Sequence, residues 1–112
     1  MEDEPKKTPA DHSFAYLQAE SDRNRVAFLK NELALCFTFS AVAAWKYKNG
    51  NQESADISKA KAERAYETVV HVLSDPKHSK HLTKETVQEC TEELERLRER
   101  LDGLKGPTPI PT

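Results

Sequence analysis

Histidine and cysteine give this 112-residue chain most of its chemical latitude, with four of the first and two of the second. His78 and His81 lie three apart in P-K-H-S-K-H-L, a spacing that can offer two imidazoles to one metal ion. A structural zinc site takes four ligands, and no thiolate pair stands nearby to complete one. Lys77 and Lys80 flank these imidazoles, so the stretch reads as a solvated basic loop. His71, in V-V-H-V-L, falls off the line set by Val69 and Leu73 and is expected at the surface, where it is a candidate phosphoacceptor. His12 lies near the N-terminus with no partner in pattern.

Cys36 and Cys90 are too few for a disulfide framework. Both fall on expected core positions, without a basic neighbour on their own faces to lower the thiol pKa, so buried inert thiols are expected. A single bridge between them is the alternative. Carboxylates are numerous but interleaved with cations, whereas acid–base catalysis needs two held apart in pKa by a buried site. Only Asp22 lies on an expected core line, and it faces a polar patch. The paired glutamate–histidine spacing of di-iron bundles is absent. So are the nucleophile-elbow, P-loop and dinucleotide signatures. The expectation is therefore a protein with no catalytic, cofactor or metal site.

These residues sit on elements organised around Leu33–Trp45, L-A-L-C-F-T-F-S-A-V-A-A-W, an uncharged run in a chain that is 32% charged. The uncharged run alone is too short to span a bilayer, which takes about 20 apolar residues. Leu33, Phe37, Ser40 and Ala44 share one face, and Leu35, Phe39, Val42 and Ala43 spread well round from it. A surface helix usually carries one apolar stripe about 100° wide. This run is apolar over more than half its circumference and needs cover from two sides. Two further helices of the chain are one source of cover; a second copy or another protein is the other. Phe39 and Trp45 are then candidate contacts, because exposed aromatics favour interfaces. Phe14 and Leu17 join them, since a purely solvated extension would waste them.

The pattern predicts an all-α protein: an antiparallel three-helix bundle with a long first helix. Residues 1–7 read as a disordered tail. The bundle covers 8–106, with helices at about 9–48, 52–74 and 84–105, and 107–112 is a Pro-rich tail. Thr8 or Asp11 caps the first helix, with Pro9 at its first position. The series Ala15, Ala19, Asp22, Val26, Leu29, Leu33, Cys36, Ser40, Ala43, Tyr47 runs through it. Its weakest stretch is E-S-D-R-N-R, residues 20–25, read as an overhang or kink in one continuous helix. Gly50 closes the helix and Asn51 caps the next. Ala55, Ala62, Ala65, Tyr66, Val69, Val72 and Leu73 form the second core line, and Pro76 ends it. Thr83 caps the third helix, whose seam Val87, Cys90, Leu94, Leu97, Leu101, Leu104 alternates by three and four. Glu92 with Arg96 and Arg98 with Asp102 are spaced to pair.

Gly50, Ala55, Ala62, Ala65-Tyr66 and Ser74-Asp75-Pro76 resemble a tetratricopeptide-type hairpin. The span from Gly50 to Pro76 is about nine residues longer than that pattern, with no second repeat to stack on, so no peptide groove is carried over. A-x-x-A-Y-x-T-V followed by a Leu- and Arg-rich helix is also similar to short uncharacterised helical proteins of bacterial genomes, over roughly residues 30–104. That likeness implies no activity. An exposed His71 resembles the acceptor of histidine phosphotransfer domains, but the lysine and glycine those carry on the next turn are replaced by Leu73, Ser74, Asp75 and Pro76.

A net charge of −2 gives no basic footprint for nucleic acid. The acidic start M-E-D-E lacks an apolar h-region, so a secretory leader is not expected, and a cytoplasmic protein with reduced thiols and no membrane partner is. The favoured function is a non-catalytic protein–protein interaction or assembly module, either a homodimer or bound to another helical protein. The competing readings are a small phosphocarrier using His71 and a ligand site between helices at Trp45, Tyr47 and Tyr66.

Overall fold

The computed structural model describes the backbone of residues 10–104 and the side chains of 18–104. All regular structure among them is helical: α1 Ala10–Lys48, α2 Gln52–Ser74, α3 Pro76–Ser79 and α4 Lys84–Asp102. The expected caps of α1, the two tails, and the side chains of His12, Phe14 and Leu17 lie outside the described residues. α1 is continuous through residues 20–25.

Each junction has a local cause. Gly50 adopts φ 78°, its N–H donates to Tyr47 O (3.1 Å), and Asn51 N–H donates to Lys46 O (2.9 Å). This pair of bonds is the Schellman closure. It commits Asn51 to finishing α1, and Asn51 makes no side-chain cap on α2, contrary to expectation. Pro76 ends α2 but also opens α3, a one-turn helix where the sequence predicts only a loop. The Asp75 carboxylate accepts from Lys77 N–H (3.0 Å) and caps it, and Pro76 occupies the first turn, where its missing N–H costs nothing. Thr83 Oγ1 accepts from Thr86 N–H (3.0 Å) and starts α4 as expected.

The core has two adjoining parts. Cys36, Ala43, Ala62, Ala65, Leu97, Leu101 and Leu104 form one. Leu29, Val69, Val72, Cys90 and Leu94 form the other. Leu33 and Tyr66 pack against both. The two thiols fall in different parts and are free. Ala43, Ala62 and Ala65 let α1 and α2 approach closely, and Ser40 joins the core because its Oγ donates to Phe37 O (2.8 Å). From Asp22 onward, the seam positions read from the sequence are buried or half-buried. Phe37, which shares a face of α1 with Leu33 and Ser40, is exposed, and the Arg100 guanidinium lies 4.7 Å from its ring centroid.

Gln18–Lys48 is long enough to cross a membrane and contains an 18-residue stretch of mean hydropathy 1.4. Core helices of soluble proteins share these properties. The physical question is what the apolar side chains left outside the core are for, since only 22% of the helix's most apolar stretch is buried.

Candidate interaction surface

α4 covers one side of the α1–α2 pair. Its Arg98 grips Glu63 through two bonds (3.2 and 3.1 Å) and lies 4.9 Å over the Tyr66 ring. Arg98 also bonds Asp102 (2.9 Å), and these contacts, led by the bond to Glu63, raise its pKa. The expected Arg98–Asp102 pair is thus present. Arg96, by contrast, pairs with Glu93 (2.7 Å), while Glu92 accepts from Gln88 (3.2 Å).

The other side of the pair is open. There a groove of about 380 Å³ runs between α1 and α2, lined by Phe28, Glu32, Leu35 and Phe39 from α1 and by Lys61, Arg64, Ala65 and Thr68 from α2. Phe28 and Leu35 are 44% and 43% exposed; Phe39 is half-buried beneath the Lys61 ammonium at 5.5 Å. A second groove of about 430 Å³ continues it past Phe28 and Thr68 to Asn24, Arg25, Val72 and His78. No α4 residue lines either groove. Phe28, Leu35 and Phe39 follow one another at steps of seven and four residues, so they stand on one stripe, rotated away from the buried Leu29–Cys36–Ser40 stripe.

Trp45 is 65% exposed but does not belong to this stripe. Six residues beyond Phe39, it is turned about a third of the circumference away. Phe39, half-buried, and Trp45, exposed, therefore face different ways, which the sequence reading of both as contacts did not show, and it did not single out Phe28. Phe28 had a legible signal, its place seven residues before Leu35 on the same helix face. The three rings considered for a ligand are also dispersed. Tyr47 donates to the Asp56 carboxylate, Tyr66 lies under Arg98, and Trp45 faces outward. Burial, then the Asp56 bond, pushes the Tyr47 phenol up to about 12.

The histidine-bearing loop is not merely solvated. His78 and His81 are half-buried against the polar patch of α1. Arg25 Nε donates to His78 Nδ1 (3.4 Å), and Arg25 also bonds Asp22 (3.1 Å). His81 Nδ1 lies 3.2 Å from Gln18 Nε2 and 3.6 Å from Asp22 Oδ1. Within the E-S-D-R-N-R stretch, Asp22 and Arg25 thus meet a polar loop, while Arg23 pairs with Glu20 at the surface. Each imidazole nitrogen facing α1 already has a neighbour, and no group of three metal-ligating side chains occurs among the described residues. His71 is exposed, with Nε2 3.9 Å from Asp75 Oδ2. That carboxylate stands where an incoming phosphoryl group would approach and opposes it electrostatically.

Burial, with Glu63 adding to it, pushes the Cys36 thiol up to about 11, and burial likewise raises Cys90. Both are therefore thiols, not thiolates, at neutral pH. Comparison with known proteins finds no matching family model, no matching curated protein and no matching solved structure.

Proposed function

We propose that the protein is a non-catalytic helical interaction or assembly module that works as a homodimer or docked on another helical protein. The observation that carries this reading is the apolar stripe Phe28–Leu35–Phe39, left open on the side of α1–α2 opposite α4. Contiguous apolar surface rimmed by polar groups marks an interaction site on a water-soluble chain. Lipid is a poorer occupant than protein: Lys30 and Glu32 fall within the apolar part of α1, and Lys61 and Arg64 stand beside it. Charges at such a level are costly in hydrocarbon. The proposal accordingly includes no membrane, nucleic acid, cofactor or metal, and places the protein in the cytoplasm, where two buried free thiols are stable.

Within this reading, the architecture is an antiparallel three-helix bundle with a long first helix, and α3 is a turn within the second connection. The order of contacts supports it: Tyr47 meets Asp56, Phe39 meets Lys61 and Arg25 meets His78, so one strand of contacts rises as the other falls. Sedimentation equilibrium of the full chain tests the function. Self-association in the micromolar range, or a stable complex with a helical protein, is the expected outcome. A chain that stays monomeric at high micromolar concentration and retains no helical partner sinks the proposal.

A further inference from the structure

The α1–α2 pair has two faces, and the occupied one is a guide to the other. On the first, α4 lies along the pair as an amphipathic helix. Its leucines are buried, and Arg98 on its flank bonds Glu63 of the α2 wall. On the second, the two open grooves run end to end from Ser21 to Phe39 of α1. That span is about 27 Å at the helical rise, the length of a helix of about five turns. A hydrophobic groove between helices is filled in this way by the apolar face of a further helix.

The sign of charge on the α2 wall is reversed between the two faces. Toward α4 the wall presents Glu63; toward the open side it presents Lys61 and Arg64. Among the described residues neither cation has an ion-pair partner. Like charges three residues apart on a helix repel, and a carboxylate set beside both relieves the repulsion. On the α1 wall, Phe28, Leu35 and Phe39 are interrupted by a single charge, Glu32. The contacts Tyr47–Asp56, Phe39–Lys61 and Arg25–His78 fix the relative heights of the walls. Lys61 and Arg64 stand at the Phe39 end, whereas Glu32 is level with about residues 68–71, roughly 10 Å farther toward Phe28.

A second copy does not supply the complement. Laid face to face with each α1 over the other copy's α2, residues keep their heights, and Glu32 misses both cations. Laid with α1 over α1, the two basic walls share one side of the interface, where like charges are unfavourable. We propose that the open side of α1–α2 is the docking site for an acidic amphipathic helix of another protein. That helix is apolar toward Phe28, Leu35 and Phe39. It carries carboxylates on the flank beside α2 and no acid on the flank beside Glu32. This rests on the assembly reading and names the partner's chemistry. Self-association through the same stripe is the weaker mode and gives way to the helix.

The probe is a helical peptide of about 18 residues, matching the trough, with leucine on its apolar face, glutamate on one flank and glutamine elsewhere. Its counterpart has lysine in place of each glutamate. In anisotropy titrations against the full chain, the glutamate peptide is expected to bind in the micromolar range and the lysine peptide about tenfold or more weakly. K61E/R64E is expected to invert that preference, and L35E to abolish binding of both peptides. These positions are exposed, so helicity by circular dichroism should be unchanged in both variants.

Equal affinity for the two peptides, or a preference that survives K61E/R64E, overturns the acidic partner and leaves the assembly reading standing. Binding of neither peptide, by a chain that self-associates through Leu35, gives the groove to a second copy and overturns this proposal alone. Binding of neither, by a chain that stays monomeric and retains no helical partner, overturns both.

Discussion

Cys36 is the residue whose surroundings make the clearest demand. It is fully enclosed beside Ala43, Ala62 and Leu97, and its thiol is pushed up to about 11, burial being the main cause. The native state holds the Cys36 proton more tightly than the unfolded chain, whose cysteine titrates near the model value of 9.0. The resulting stability is complete below pH 9 and is lost as pH rises through the native value. A shift of this size is worth about 2–3 kcal/mol. Urea titrations at pH 8 and pH 11 should show that loss, shared at the upper end with Tyr47, whose phenol is raised in the same direction. A C36A variant should start less stable and show a shallower alkaline decline; an unchanged decline would mean that Cys36 is not its source. His71 poses the contrasting case. With Asp75 beside it and no lysine following, H71A is expected to leave any phosphorylation by a small acyl phosphate unchanged. Mass spectrometry of the two proteins after incubation decides this, and a signal that disappears with the imidazole would revive the carrier reading.

The helices and their seams were legible because each is written at helical spacing, but the connections were only half legible. Leu94, Leu97 and Leu101 are buried where the three–four alternation puts them, and so are Leu29, Cys36 and Ala43. Phe37 shares a face with Leu33 and Ser40 yet stays outside the core, because a long arginine on α4 covers its ring from the solvent side. The one-turn α3 was missed because its cap, Asp75, also reads as the end of the preceding helix. The groove was missed as a whole because it depends on which side α4 occupies, and a seam shows which face of α4 is buried without showing against which flank. Two junctions give direct tests. Gly50 has φ 78° and open space where a Cβ would go. G50A therefore costs only backbone strain, about 1 kcal/mol, with no steric clash to add. T83A removes the acceptor for Thr86 N–H and should cost about 1 kcal/mol. Thermal midpoints of both variants check these values. A neutral G50A would show that the Schellman closure is not holding the α1–α2 turn.

At the scale of the whole molecule, the buried set is small for the length of helix it supports. Several of its members are alanines, and the enclosed large side chains are few: Leu29, Leu97, Leu101 and Val69. Close approach at Ala43, Ala62 and Ala65 gains packing but removes less apolar area from water than larger side chains would. Meanwhile Phe28 and Leu35, large enough to contribute about 1.5–3 kcal/mol each if fully covered, remain partly exposed. A chain with this division of apolar surface gains stability by association, and a complex that forms only between folded copies stabilises the fold by mass action. The thermal midpoint should therefore rise with protein concentration. Each 1 kcal/mol gained moves it by about 4–8 °C for a domain of roughly this size. L35E should flatten that dependence while lowering the midpoint little in dilute solution, because its side chain is outside the core. L101A should do the opposite: it opens a cavity under α4, costs about 2–5 kcal/mol at every concentration, and leaves the slope with concentration in place. Calorimetry across a wide concentration range separates the two variants. If the wild-type midpoint does not move with concentration, association contributes nothing to its stability, and the open side of α1–α2 must be covered by a different protein.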